Sequence, residues 1–383
     1  MNDAIAGAAE ASWAGSAAAD DAAAAGGSPL APERGPHVWR PARIDPRRDG
    51  SRRLGAPAVD EIRRALDHLR RQGPLDLPAI TRVTFPLPTL GPHLARLGGA
   101  LRRGRGFVVL RGLDPTRFDP DDLARIHVGL GVYIGRAIPQ SHQGELLGNV
   151  MSIGDLEDRG RGYTAGGRLG PHTDNCDVIG LMCLRPAGAG GTSEVISAGA
   201  VHNRILAERP DLLQVLYDGF LFRRPALDAE RGSGVAVRRI AIFSRAGGPL
   251  SVSMTLGYLR AAVHAGDAVL TPIQEEAVSY LSEVVRDPAL RLRMNLRAGD
   301  IQYLDNRRML HGRTDYRDPP EIARRRHFLR LWLMIDGWPP LPDDQGVHRA
   351  DDHAGWLRHR RPLMELPSRH VAEMTRRKAD LAS

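Results

Sequence analysis

The sequence predicts one α+β domain with an irregular segment at each end. Three observations carry that reading. Short apolar runs rich in β-branched and aromatic residues, such as Phe107-Val108-Val109-Leu110, recur along the chain and read as buried strands. Stretches with apolar residues at helical intervals lie between them, several opening on Asp-Pro or Thr-Pro, a helix-start signal. No internal repeat is evident. The 383 residues suit one large domain with extensions, or two ordinary ones. A hydrophobic share of 42% and a charged share of 26% allow a substantial core and argue against bulk disorder.

In chain order, Met1 to Pro36 holds Ala, Gly, Ser and Pro with five acidic residues and one Arg. It lacks the basic start and unbroken apolar stretch of a secretory signal and reads as a disordered tail. His37 to Pro57 is Arg- and Pro-rich and reads as irregular. Val59 to Arg71 spaces Ile62, Ala65, Leu66 and Leu69 as one face of a helix. The run Phe107 to Leu110 reads as a strand ended by Gly112. Asp119-Pro120-Asp121-Asp122 starts a helix near Leu123 to Leu130. Pro171 to Pro186 reads as one strand, and Ala198 to Tyr217 as one or two helices interrupted at Pro210. Val235 to Ser253 alternates around Gly247-Gly248-Pro249, a hairpin signal. Thr271-Pro272 opens a helix through Val285. Gly299-Asp300 is a turn, and Ile301 to Leu304 and Phe328 to Ile335 read as strands. The expected organisation is an irregular N-terminal extension over 1–57, the folded domain over 58–341, and a polar C-terminal extension over 342–383.

Several function classes are bounded by composition. No apolar run approaches the ~18 residues of a membrane span. Two cysteines exclude a disulfide scaffold. A formal charge of +8 and a pI near 10.1 keep nucleic acid in view as a partner. Lys378 is the only lysine, so 52 of the 53 basic residues are Arg. The charge is not a detachable basic arm, because residues 58–339 hold +7 of it. No nucleic-acid-reading module is evident, so the reading expects a small-molecule substrate, no nucleic acid and no membrane, in the cytoplasm.

The most informative short segment is Gly170-Pro171-His172-Thr173-Asp174. On a strand, residues two apart share a face, so His172 and Asp174 can present an imidazole and a carboxylate to one ion. His311, 139 residues later, is the best third ligand; His142, His202 and His264 are also available. Two His and one carboxylate on one side of a metal form the facial triad of non-haem iron oxygenases. Zinc can use the same set for hydrolysis. A bare His-x-Asp is common and usually ligates nothing. The second segment raises its weight: Arg326 follows His311 by 15 residues, and Arg330 shares its strand face. A planar guanidinium grips a carboxylate with two parallel hydrogen bonds. In an Arg-rich chain, such a pair also arises by chance.

The chain resembles the taurine dioxygenase (TauD/TfdA) family of Fe(II)- and 2-oxoglutarate-dependent oxygenases, within the clavaminate-synthase-like group. The resemblance covers roughly Gly104 to Trp338. It rests on an ordered set: Gly106 to Gly112, Pro171-His172-Thr173-Asp174, Gly190-Gly191-Thr192-Ser193, Asp305 to Thr314, and Arg326 to Trp332. It implies a distorted double-stranded β-helix (jelly roll) with surrounding helices. It implies His172, Asp174 and His311 as catalytic iron ligands, with O₂ as a further reactant. Arg326 is then the anchor for the distal carboxylate of 2-oxoglutarate. A hydroxyl after the Gly-Gly turn joins it, Ser193 by offset, with Thr192 adjacent. The implied reaction hydroxylates an unactivated C–H bond and releases succinate and CO₂. Relatives that halogenate lack the carboxylate, so Asp174 favours hydroxylation, although desaturation or ring chemistry uses the same triad. Relatives are often dimers or higher, so a homo-oligomer is compatible.

Substrate residues are harder to read. Gln140, His142 and Asn149 precede the metal segment. Tyr163 sits in the Gly-rich stretch Arg159 to Gly167, either a lid or an ordinary surface loop. Arg330 favours an anionic group on the substrate, with a structural Arg as the plain alternative. Cys176 and Cys183 read as core. Two other classes compete: a zinc hydrolase, which leaves Arg326 without a role, and a basic nucleic-acid-binding protein.

Overall fold

The structure, a computed structural model, describes residues 30–382 apart from 47, 74, 76, 141–143, 155, 157–166, 224–236 and 347–365. Two sheets organise it. The larger runs in the order Ser51–Arg53, Phe107–Arg111, Ile301–Asp305, Val178–Arg185, His327–Met334 and Arg136–Ala137, with Leu147–Met151 also paired to His327–Met334. The smaller has four strands, Leu292–Met294, Ser193–Ser197, Met309–Arg313 and Leu169–His172. Every pairing in both is antiparallel except that of Ser51–Arg53 with Phe107–Arg111.

The two sheets share a core. Val109, Ile179, Leu304, Phe328 and Trp332 of the larger sheet meet Val195, Leu292, Met294 and Met309 of the smaller. Side-chain alternation explains the layering. Along His327–Met334, Phe328 and Trp332 enter this shared core, while Leu329, Leu331 and Leu333 enter the core on the opposite face. There they pack with the helices Ala56–Arg71, Leu90–Arg103 and Pro120–Ile134 through Ile62, Leu66, Leu94, Ile126 and Leu130. The smaller sheet sends Ile196 and Leu310 outward against the helices Ala198–Glu208, Pro210–Asp218, Leu256–His264 and Pro272–Val284. Each large aliphatic side chain so buried contributes roughly 1.5–3 kcal/mol, so helices cover both outer faces at a gain and leave the site between the sheets.

Most elements fall where local chemistry puts them. Asp119 caps the helix Pro120–Ile134 by accepting the Asp122 N–H at 2.7 Å. Pro210 splits the next helical stretch in two. Thr271 and Gln274 form a capping box ahead of Pro272–Val284. Phe243–Ser244 pairs with Ser251–Val252 across the Gly-Gly-Pro turn.

Three expectations need correction. The single strand over Pro171 to Pro186 is two strands, Leu169–His172 and Val178–Arg185, in different sheets. Their junction, 173–177, is a loop, so Asp174 lies off the strand. The domain limits at 58 and 341 fall inside packed structure. Trp39 and Ile44 enter the shared core, and Trp39 Nε1 donates to the Arg105 carbonyl at 2.8 Å. Ser51–Arg53 is an edge strand. Helix Pro367–Ala382 lies in the supposed polar extension, with Ser368 N–H on Asp121 Oδ1 at 2.9 Å and Met374 buried. Helices Leu90–Arg103 and Leu256–His264 were not anticipated either; both have Gly in or at their first turn, which weakens the sequence signal.

Candidate active site

The antiparallel register of Leu169–His172 on Met309–Arg313 places His172 directly opposite His311. One rung of a sheet therefore closes the 139-residue gap, and the ring centroids stand 4.2 Å apart. His172 Nδ1 lies 2.9 Å from the Gly170 carbonyl. A carbonyl only accepts, so Nδ1 is the donor of that bond and Nε2 is the ring nitrogen turned to the cluster. That Nε2 is 4.0 Å from Asp174 Oδ1, and His311 Nε2 is 3.8 Å from Asp174 Oδ2. One ligand atom from each residue lies within 4.8 Å of the others, the one such trio among the described residues.

Asp174 reaches the cluster from a loop that is clipped at several points. Its backbone N–H donates to Asn306 Oδ1 at 3.0 Å, and Asn306 Nδ2 donates to the carbonyls of Asp174 and Cys176 at 2.5 and 2.9 Å. Thr173 N–H donates to the Met254 carbonyl, while Thr173 Oγ1 accepts the Met254 N–H at 2.9 Å. The carboxylate itself accepts from Trp332 Nε1 at 2.9 Å and faces Arg330 Nη1 at 3.3 and 3.4 Å.

These surroundings set the protonation a cation needs. Burial works to raise the Asp174 carboxyl, but Arg330, the two imidazoles and the Trp332 hydrogen bond together hold it below the usual carboxylate range. Burial, with His172 and Arg330 adding to it, pushes His311 down to about 3. Burial thus keeps His311 neutral beside one anion, and two imidazoles with one carboxylate are a donor set that suits a divalent ion with open coordination positions.

A cavity of about 50 Å³ lies on one side of the cluster, lined by His172, His311, Ser193, Arg313, Arg326 and Arg330 among others. Arg326 is 6% exposed, stacks 3.8 Å from the Phe328 ring centroid, and has no hydrogen-bond partner for Nε or Nη1. Burial and the neighbouring Arg313 push its pKa down to about 10. Two buried, partnerless N–H groups on one cation are costly unless an anion joins them. The donor set fits a carboxylate.

The turn before Ser193 makes this cavity possible. Gly190 and Gly191 have φ of +76° and +68°, and a Cβ at Gly190 would stand 2.2 Å from the Asp315 carbonyl oxygen. The turn delivers Ser193 to the cavity lining, where its hydroxyl donates to Gln302 Oε1 at 3.1 Å. The Thr192 hydroxyl instead donates to Asn295 Oδ1 at 2.8 Å, outside that lining.

A cavity of about 560 Å³ opens on the other side. His172, Leu169 and Arg330 line both cavities, and Asp174 and Trp332 line the larger one. Its far wall comes from the helices Leu256–His264 and Pro272–Val284 and the residues that follow them.

Gln140 also lines the larger cavity. Its Oε1 accepts from Arg330 Nε at 2.7 Å and its Nε2 donates to the Arg330 carbonyl at 2.7 Å. Arg330 is thereby braced between Gln140 and Asp174. Asn149 is not brought to the site. It pairs with Leu329, faces the helical core, and its Oδ1 meets His327 Nε2 at 2.8 Å. His202 meets the Tyr217 hydroxyl at 3.0 Å among the outer helices, and His264 ends the helix Leu256–His264. Cys176 and Cys183 are buried core residues. His142 and Tyr163 lie outside the described residues. Sequence reasoning missed Trp332 and Asn306 as partners of Asp174. Trp332 had a usable signal, two residues beyond Arg330 on one strand face.

Comparison with known proteins gives a consistent set. The family model described as "Taurine catabolism dioxygenase TauD, TfdA family" matches residues 71–332. The chain is 32% identical over 305 residues to a taurine hydroxylase-like protein, SAT17, of Stachybotrys chartarum, covering 74% of each. It is 29% identical over 328 residues to the FR-33289 synthase of Streptomyces rubellomurinus, covering 83% of this chain and 95% of that one. An asparagine oxygenase solved with Fe(II), 3-hydroxyasparagine and succinate superposes with a TM-score of 0.57 at 19% identity. It covers 74% of this chain and 93% of that one, a likeness of fold.

Proposed function

The chain belongs to the TauD/TfdA family of 2-oxoglutarate-dependent non-haem iron oxygenases, and from that premise we propose roles for its own residues. His172, Asp174 and His311 hold Fe(II). Arg326 and Ser193 hold the distal carboxylate of 2-oxoglutarate. The enzyme hydroxylates an unactivated C–H bond of a small metabolite in the larger cavity, with release of succinate and CO₂. The observation that carries this reading is the inner cavity. It joins two triad histidines, Ser193 and Arg326, whose Nε and Nη1 have no hydrogen-bond partner, in one small space.

Iron, 2-oxoglutarate and O₂ supply the oxidising chemistry when bound. The protein's contribution is placement. Asn306 and Thr173 fix the loop that aims Asp174, Trp332 and Arg330 keep its carboxylate ionised, and the Gly170 carbonyl holds the His172 ring by accepting from Nδ1. Arg330 is read as a positioning residue for Asp174 that also borders the substrate space. A zinc hydrolase on the same ligands would leave Arg326 as an uncompensated buried cation, which disfavours it.

The same reading extends to the scaffold. The two facing sheets are taken as a distorted double-stranded β-helix, supported by their antiparallel ladders and shared core. The dioxygenase domain is taken to extend beyond 58–341, with the segment around Trp39 to Arg53 and the helix Pro367–Ala382 as packed supports. Two buried free thiols support a cytoplasmic setting, and among the described residues no helix is long and apolar enough to cross a membrane. A homo-oligomer is compatible with the family.

The test is succinate formation by the purified protein with Fe(II) and 2-oxoglutarate, coupled to a screen for products heavier by one oxygen atom. Succinate that depends on iron, and is lost when Zn(II) replaces it, is the expected result. Zinc-supported turnover without succinate would overturn the reading.

A further inference from the structure

The wall of the larger cavity opposite the metal ligands is cationic. Four arginines line that cavity: Arg168, Arg260, Arg286 and Arg330. The one lining carboxylate among the described residues is Asp174, already engaged by Arg330 and assigned to iron. Arg168 pairs with Glu194 at 2.8 Å. Arg260 and Arg286 differ. They come from separate elements, the helix Leu256–His264 and the residue two beyond Pro272–Val284. No hydrogen bond or ion pair of either side chain is present among the described residues. Elsewhere on the same helical layer, arginines find acids: Arg204 with Glu208, Arg209 with Glu276, Arg223 with Asp267. Two cations thus line the larger cavity with no acid paired to either among the described residues.

Two guanidiniums that line one cavity from separate elements offer it several N–H donors, a donor set that suits planar or tetrahedral oxyanions. With Asp174 the one lining carboxylate among the described residues, the cavity's charge balance is positive. Arg330, the arginine nearest the metal ligands, is held by Gln140 and Asp174, so it is not the free cation of this cavity. The volume, about 560 Å³, holds a small metabolite between the two ends.

We infer that Arg260 and Arg286 form an anion-binding end of the substrate cavity, so that the substrate carries a carboxylate, sulfonate or phosphoryl group remote from the carbon that is oxidised. This rests on the reading of the site as an iron and 2-oxoglutarate centre. The inner cavity takes the cosubstrate's anion, and the outer wall takes the substrate's.

The experiment uses full-length protein loaded with Fe(II) and 2-oxoglutarate without O₂. The probes are butanoate, propane-1-sulfonate, propylphosphonate, propan-1-ol and propan-1-amine, which share a propyl chain and differ in end group. The readout is perturbation of the visible charge-transfer band of the iron–2-oxoglutarate complex, followed by probe-stimulated 2-oxoglutarate decarboxylation once O₂ is admitted. At least one anionic probe is expected to act at about tenfold lower concentration than the alcohol or amine, with the rank among the three anions naming the group. Arg260→Gln and Arg286→Gln should each erase most of that preference, and added salt should weaken it, while the 2-oxoglutarate concentration needed to form the band stays unchanged. Equal potency of all five probes, or preference intact in both variants, overturns the inference and leaves the iron reading standing. Failure of the band to form at all overturns both.

Discussion

The two cavities that share His172 are built from different material. The inner one is walled by sheet residues, Ser193 and Arg313 on strands and Arg326 at a strand start, all with backbones locked in or beside antiparallel ladders. The outer one takes Arg260 from the helix Leu256–His264 and Arg286 from the turn after Pro272–Val284, both exposed and with no hydrogen-bond or ion-pair partner of the side chain among the described residues. The inner cavity is about 50 Å³ and the outer about 560 Å³. The space proposed for the cosubstrate is the small one beside the buried Arg326. A site whose occupant is particular to this chain is roomy and set by side chains on separately mounted helices.

Substitutions should separate the two sides, and the shared cluster should matter to both. The largest effect is expected from Asp174→Ala, which should bring iron-dependent succinate formation to baseline and strip retained iron after desalting, measured by elemental analysis. Full turnover in that variant would dissolve the distinction between the sides, because no centre would lie between them. Arg326→Leu comes next. It should raise the 2-oxoglutarate KM on the order of 100-fold by removing a buried charge-assisted anchor, and abolish the rise in melting temperature that 2-oxoglutarate gives the wild type. An unchanged KM would move the anchor elsewhere and empty the inner cavity of its role.

Asn306→Ala tests the frame. It leaves the Asp174 N–H and two carbonyls without their partner, at a cost of about 2–3 kcal/mol in unfolding free energy, read by urea denaturation. Iron affinity should fall by about tenfold, while the ratio of anionic to neutral probe potency in the outer cavity stays the same. The smallest and sharpest comparison is Ser193→Ala against Thr192→Ala. Loss of one hydrogen bond of about 1 kcal/mol predicts a roughly fivefold rise in 2-oxoglutarate KM for the first and less than twofold for the second. The reverse order would assign the cosubstrate hydroxyl to Thr192.

What could be read from the sequence divides along the same line. That His172, Asp174, His311 and Arg326 lie together is legible because each sits in a short motif whose chemistry restricts residue type. The cavity-lining role of Gln140 was reached only by its place ahead of the metal segment. Asn149 was assigned from that same position and faces the other way, since a strand's side chains alternate and the phase of Leu147–Met151 is set by its pairing with His327–Met334. The reason given for uniting His172 with Asp174 also failed. They share no strand face; a turn and the Asn306 clip join them. Arg260 and Arg286 carried no sequence signal among 52 arginines, because only tertiary packing tells a cavity arginine from a solvated one.

The placement of Asp174 on a clipped loop, beside two histidines locked into one sheet rung, makes the centre modular. The imidazole pair is part of the chassis and cannot shift without slipping a register that also sets the faces of Leu310 and Met309. The carboxylate is a plug-in part. Removing its side chain disturbs no ladder, so that corner can be vacated or re-equipped while the fold and the cosubstrate berth stay in place. Of the three proposed ligands, Asp174 is the one held by a loop and not by a ladder, so it is the one whose exchange leaves both sheets as they are.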